Sequence, residues 1–163
     1  MADVERRLVR EIDRSQFECR TDGAYGTKLI LPPGICSNFK NQKGQSLPFS
    51  EFNLSQETNQ AIREAGFTKP TPIQQKALPH VLAGKDVMGQ AETGTGKTIA
   101  FILPIIEKID SQRVSPQALV LSPTRELAHQ IKEQFEHFAT ARKLRVSLVI
   151  GGEDMSEQIL DLR

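Results

Sequence analysis

The chain has 163 residues, 38% of them hydrophobic and 25% charged, with a net charge of +1. That length sets one compact domain with a real core as the natural expectation. The near-zero charge excludes a global positive field, so any nucleic-acid binding must rest on a local patch.

Two cysteines, Cys19 and Cys36, stand far outside any CxxC spacing, which argues against a disulfide framework and a zinc site and for two reduced thiols. The start "MADVERRLVREIDR" mixes charges and has no apolar core, so it does not read as a signal peptide, and its acidic residues argue against a transit peptide. No apolar run approaches the roughly 20 residues needed to span a bilayer. The expectation is a soluble cytoplasmic protein with no membrane association.

Within residues 4–17, Val4, Leu8 and Ile12 stand at helical spacing and predict a short amphipathic helix. The Gly-, Pro-, Asn- and Lys-rich residues 21–48 predict an extended linker, with a boundary near Ser46. Residues 1–46 therefore read as an N-terminal extension and 47–163 as the folded domain. Ser55 caps a helix that Gly66 ends in the left-handed conformation. Thr71, Pro72 and Gln74 open a second helix as N-cap, N1 and N3, and Gly84 closes it. "DVMGQ" predicts a short strand and "KTIAFILPIIEKI" a helix with Pro104 as a kink point. "QALVLS" predicts a buried strand, and "RELAHQIKEQFEHFA" a helix with Leu127, Ile131 and Phe135 on one face. "LRVSLVIGG" predicts another strand, and Asp154 and Glu157 open a last helix at capping-box spacing. Strand alternating with helix predicts an α/β fold with a parallel sheet, which stops before such a sheet is complete.

"AETGTGKT", residues Ala91 to Thr98, lies between a strand and a helix. Such a turn gathers free backbone N–H groups at a helix N-terminus, where the dipole favours anions. Gly94 and Gly96 let the backbone curl round a polyphosphate, with Thr93 just before them and Thr95 between them. Lys97 is placed to reach the β- and γ-phosphates and Thr98 to ligate magnesium. The first glycine of GxxxxGK[ST] is replaced by Ala91.

Three further stretches, "GFTKPTPIQ" (66–74), "PTRELA" (123–128) and Gly151–Gly152, stand with the phosphate loop in one order, and together they make residues 47–163 resemble a DEAD-box ATP-dependent RNA helicase. The resemblance implies a RecA-like P-loop NTPase fold, a parallel sheet flanked by helices and incomplete at the C-terminus, with ATP and Mg2+ as cofactors and RNA as the second ligand. It implies that Gln74, in the Q motif, reads adenine, whose N7 and N6 suit an amide's paired donor and acceptor. Phe67 and the two prolines shape that pocket, and Phe49 is the upstream aromatic able to stack on the base. From spacing alone Gln74 is a cap and both phenylalanines are core; the readings are compatible. Pro123, Thr124 and Arg125 resemble motif Ia, which holds the RNA backbone, and Gly151 and Gly152 resemble the GG motif. Sequence-independent contacts with RNA phosphates follow. Arg142, Lys143 and Arg145 read as a solvated helix end, and His80, His129 and His137 as surface histidines without metal spacing.

The family's Asp-Glu-Ala-Asp block is not found: "ALVLS" ends in Ser122, "SLVI" leads into Gly151, and Glu153 and Asp154 read as a helix start. Lys97 and Thr98 are then the catalytic residues present. The expectation is an N-terminal piece of an RNA helicase, marginally stable, binding ATP weakly and without sustained turnover. The alternative is a non-catalytic module for adenine nucleotide or RNA. A P-loop helicase acting on DNA is disfavoured by the Q motif.

Overall fold

A computed structural model describes residues 18–21, 28–31 and 47–162. The expected helix at 4–17 lies outside them. The stretch read as a linker differs from expectation where it is described. Strand β1 (Glu18–Thr21) pairs antiparallel with β2 (Lys28–Leu31), and β2 pairs antiparallel with β3 (Met88–Gln90). The register places Lys28 opposite Gln90 and Ile30 opposite Met88, so the strand that feeds the phosphate loop borrows its partner from the N-terminal stretch. Period-2 pattern is weak in four residues, which is why proline and glycine dominated the reading there.

The helices form where their caps say they should. Helix α1 (Gln56–Glu64) starts at Ser55, whose Oγ accepts from the Thr58 N–H at 3.3 Å. It ends as Gly66 turns to φ +77 and the Phe67 N–H donates to Ile62 O at 3.1 Å. Helix α2 (Pro72–Leu82) ends in the same way at Gly84, φ +79, with the Lys85 N–H on His80 O at 3.0 Å. Helix α3 (Lys97–Lys108) runs through Pro104 to Lys108. Helix α4 (Arg125–Ala141) is capped by Thr124, and α5 (Met155–Asp161) by Asp154, whose carboxylate accepts from the Ser156 and Glu157 N–H groups at 2.7 and 3.1 Å. No helix among the described residues is long and apolar enough to cross a membrane.

The core is built on α3. Ile99, Ile102, Leu103 and Ile106 are buried and pack with Ile62 of α1, Leu78 of α2 and Phe135 and Phe138 of α4. Each such side chain contributes about 1.5–3 kcal/mol when fully buried. The Glu107 carboxylate ties the far end of α3 to α1, accepting from Ser55 N at 3.1 Å and Ser55 Oγ at 2.8 Å. On α4 the apolar face is buried only towards the C-terminal half: Phe135 and Phe138 are covered while Leu127 is exposed.

Two expectations are corrected here. His80 is buried rather than exposed, because it continues the inward stripe of Ile73 and Ala77 on α2. The segments 117–122 and 144–152, expected as strands of a parallel sheet, form no ladder; the only strand pairing among the described residues is antiparallel. A strand is defined by the neighbour that takes its backbone hydrogen bonds, and no described strand pairs with either segment. Together they line an open cavity of about 990 Å3 floored by Ile105, Ile131 and Phe135. Leu119 and Leu121 consequently stay exposed.

Candidate nucleotide and nucleic-acid site

β3 leads into the loop 91–96, which opens directly into α3. Gly94 and Gly96 both adopt the left-handed conformation, at φ +79 and +84. A Cβ on Gly94 would meet nothing within 4 Å, so the loop is open there to a ligand. A Cβ on Gly96 would strike the Gln74 carboxamide and lie 3.4 Å from Thr71 Oγ1. Only glycine fits, in conformation and in space.

Gln74, 1% exposed, is the residue that joins this loop to α2. Its Oε1 accepts from the Thr71 N–H at 2.9 Å, and its Nε2 donates to Gly96 O at 3.0 Å. The first bond is the capping-box bond expected from spacing. The second reaches across to the N-cap of α3, which spacing could not show. An amide carries two N–H donors and two acceptor lone pairs on its oxygen, so one of each remains after these bonds. The other half of the capping box is looser. Thr71 Oγ1 points at the backbone of N3 without closing a bond, and it is the buried side-chain oxygen without a hydrogen-bond partner among the described residues.

Lys97, the first residue of α3, folds back onto its own loop. Its Nζ donates to Ala91 O and Glu92 O, both at 2.6 Å, and Thr95 Oγ1 donates to Glu92 O at 2.7 Å. The ammonium therefore sits inside the turn, at the mouth of the helix dipole, where an anion would be drawn. Thr98 follows it, half-buried, while Thr93 is exposed on the turn. No group of three or more His, Cys, Asp or Glu able to hold a metal occurs among the described residues.

The two aromatic assignments fare differently. Phe49 is a core residue, 5% exposed and edge-on to Phe52 at 6.5 Å, so it offers no free face to a base. This corrects the stacking reading: burial of the ring in the α1–α3–α4 core outweighs exposure for a ligand. Phe67 is partly exposed, and its ring stacks on Phe138 at 6.2 Å. It props α4 against the end of α1.

The other expected site is at the start of α4. Thr124 Oγ1 accepts from Leu127 N at 3.3 Å, so its hydroxyl serves as the cap, and Pro123 is exposed beside it. Arg125, the first helical residue, lies flat against the Gly151–Gly152 turn. A Cβ on Gly152 would be 3.0 Å from both Nη1 and Nη2 and 3.3 Å from Cζ. Two motifs 26 residues apart in the sequence thus meet as one surface. The backbone N–H of Glu126, then the Thr124 hydroxyl, hold the Glu126 carboxyl below the usual carboxylate range, with Arg125 and His129 assisting. Arg142, read as solvated, is half-buried and engaged; Arg145 is exposed, as read, and engaged as well. Arg142 Nη1 donates to Ile106 O, and Arg145 Nη2 donates to Asp161 O at 2.8 Å.

The model of the DEAD/DEAH box helicase family matches residues 71–163, more than half of the chain. This protein belongs to that family. Its helicase relatives include an ATP-dependent rRNA helicase RRP3 from Meyerozyma guilliermondii, 48% identical over 135 residues, covering 83% of this chain and 28% of the relative. The ATP-dependent RNA helicase CshA of Limosilactobacillus reuteri is 48% identical over 117 residues, 72% of this chain and 24% of that protein. The chain thus spans about a quarter of the length of these relatives. Among solved helicase structures, a DEAD box protein from Methanococcus jannaschii superposes with a TM-score of 0.66 at 37% identity, over 71% of this chain and 32% of that one. Prp28 from Chaetomium thermophilum, bound to ADP, gives 0.64 at 33% identity, over 76% of this chain and 32% of its own. The fold is therefore the RecA-like α/β fold of these helicase domains, although the described strands pair antiparallel.

Sequence reasoning missed one contact in this region. Gln158 of α5 grips the backbone just before Gly151, through a contact between two segments that no local motif spans.

Proposed function

We propose that the chain supplies the ATP-binding portion of an ATP-dependent RNA helicase, with RNA phosphates held at Arg125, Gly151 and Gly152. The observation that carries it is the Gln74 bridge: a buried carboxamide bonded to Gly96 O of the phosphate loop, with one donor and one acceptor to spare. Adenine presents an N7 acceptor beside an N6 donor, and guanine replaces that donor with an acceptor, so the spare pair favours ATP over GTP. The residues fit the phosphates of such a ligand. The turn is open at Gly94, the helix dipole and Lys97 point into it, and the orphaned Thr71 hydroxyl adjoins it. Thr98 would hold a magnesium carried by the nucleotide, and that ion would offset part of the phosphate charge. Gln74 thus acts as the Q-motif residue, both cap and reader.

In hydrolysis the residues described here bind, orient and neutralise. Lys97 leaves the loop carbonyls for the phosphates, and the α3 N-terminus stabilises the charge they carry. On the RNA side, the exposed Arg125 guanidinium and the Cβ-free turn allow a phosphate to approach cation and backbone together, independent of base sequence.

Equilibrium binding of Mg·ATP and Mg·GTP to the purified 163-residue chain tests this reading. We expect ATP to bind the tighter of the two and no sustained turnover; equal affinity would sink the adenine pocket. Multiple-turnover ATPase activity of this chain alone would overturn its assignment to binding without completed catalysis.

A further inference from the structure

Helix α5 is fastened to the segment that carries the glycine pair. The Ile150 N–H donates to Gln158 Oε1 at 2.9 Å, and Gln158 Nε2 donates back to Ile150 O at 3.0 Å. At the other end, Arg145 Nη2 and Ser147 Oγ both donate to Asp161 O, at 2.8 and 3.1 Å. Segment 146–150 has no strand partner among the described residues, so the Gln158 carboxamide takes the place of one, pairing both polar groups of Ile150. Glutamate at neutral pH offers only acceptors, and leucine offers neither. Residue 150 is the last before Gly151, and Gly152 follows at φ +88 with the Arg125 guanidinium 3.0 Å from where a Cβ would stand.

We infer that Gln158 is a positioning residue for the nucleic-acid site, fixing Ile150 and so setting the Gly151–Gly152 turn under the Arg125 guanidinium. It touches no ligand itself. With the turn fixed, cation and free backbone N–H groups face one phosphate together. With it released, Arg125 keeps its charge but loses the surface that orients it. The inference rests on reading Arg125, Gly151 and Gly152 as the RNA contact.

The test uses the 163-residue chain, a fluorescein-labelled decauridylate as probe, and Mg·ATP binding in the same buffer. The variants are Arg125→Ala, Gln158→Leu and the double variant, with Gln158→Glu keeping the side-chain length and the acceptor for the Ile150 N–H. Groups coupled through a shared backbone segment are not additive, so Gln158→Leu should weaken the oligonucleotide about fivefold or more when Arg125 is present. It should add less than about twofold once Arg125 is alanine, while ATP affinity stays within about twofold. A purely structural role would lower ATP affinity and melting temperature together, and would do so equally in both backgrounds. That result, or a fully additive double variant, would overturn the inference. If Gln158→Leu does not fold, Gln158→Glu is judged by the same criteria, with a smaller expected loss. Wild-type oligonucleotide binding by Arg125→Ala would instead remove the RNA reading itself, and the inference with it.

Discussion

The carboxamide of Gln74 and the carbonyl of Gly96 are hydrogen-bonded at 3.0 Å, joining the N-terminal turns of α2 and α3. Neither end of this bond is spare. Gly96 is the N-cap of the helix that begins with Lys97, and Gln74 also holds the Thr71 N–H. A change at either residue is therefore felt at the start of both helices.

Gln74→Ala accordingly has two effects. Gly96 O keeps the Ala100 N–H at 3.3 Å, but the Thr71 N–H loses its Gln74 acceptor, which costs about 1–3 kcal/mol. ATP affinity should also fall to that for GTP, because the spare donor and acceptor are lost together. Urea unfolding and nucleotide titration measure the two separately. Lost stability with an intact ATP preference would assign Gln74 to the cap alone.

Gly96→Ala attacks the same bond from the other side. At φ +84 the left-handed conformation alone costs a residue with a Cβ about 1–2 kcal/mol. The added methyl also collides with the Gln74 carboxamide, which must swing out of its buried position. We expect Gly96→Ala to bind nucleotide as weakly as Gln74→Ala and to be at least as destabilised. Gly94→Ala shares the positive φ but meets nothing within 4 Å, so it separates backbone strain from the collision. Equal losses of stability in the unliganded variants would mean that the Gln74 contact contributes nothing to it.

Lys97→Met removes the charge and keeps most of the stem. The ammonium bonds to Ala91 O and Glu92 O, but Glu92 is exposed and water can replace the lysine there. The unliganded chain should therefore lose no more than about 1 kcal/mol. Nucleotide triphosphate affinity should drop about tenfold or more, since charge-assisted phosphate bonds have no substitute in methionine. Adenosine, which carries no phosphate, should bind the variant and the parent alike. A matching loss for adenosine would show that the lysine acts only by shaping the loop.

The elements that proved legible in the sequence are those that carry their own boundaries. Ser55, Thr71 and Asp154 each announce a helix by a side-chain oxygen and a following turn, and Gly66 and Gly84 end one by their positive φ. The turn 91–96 between β3 and α3 was legible for the same reason: its residues are consecutive. The illegible parts depend on partners distant in the chain. Segment 118–122 has the composition of a strand, but pairing is a property of two segments, and none of its neighbours here offers a ladder. Phe49 has the same side chain whether it stacks on a base or fills a core, and only the packing of α1, α3 and α4 decides. The grip of Gln158 on Ile150 and the seat of Arg125 on Gly152 arise when two loops close in space. Residue type misled at position 80, where histidine suggested the surface although the spacing from Ile73 and Ala77 already pointed inward.

That buried histidine makes stability depend on pH. Burial, and then the charge of Lys85, lower the pKa of His80 from its ordinary 6.5. In acid the unfolded chain therefore takes up a proton at this residue before the folded one does. The slope of stability with pH follows the extra protons on the unfolded state and is positive. His80 thus takes nothing from stability well above about pH 6.5; its contribution is lost as pH falls below that value towards the folded pKa. Urea unfolding of the chain at about pH 7.5, 6.5 and 5.5 should show decreasing stability. In His80→Gln, which cannot titrate, the decrease across that window should shrink even if the variant is less stable throughout. An identical slope in the two proteins would mean that the histidine is protonated as readily folded as unfolded, and that its burial is relieved by water.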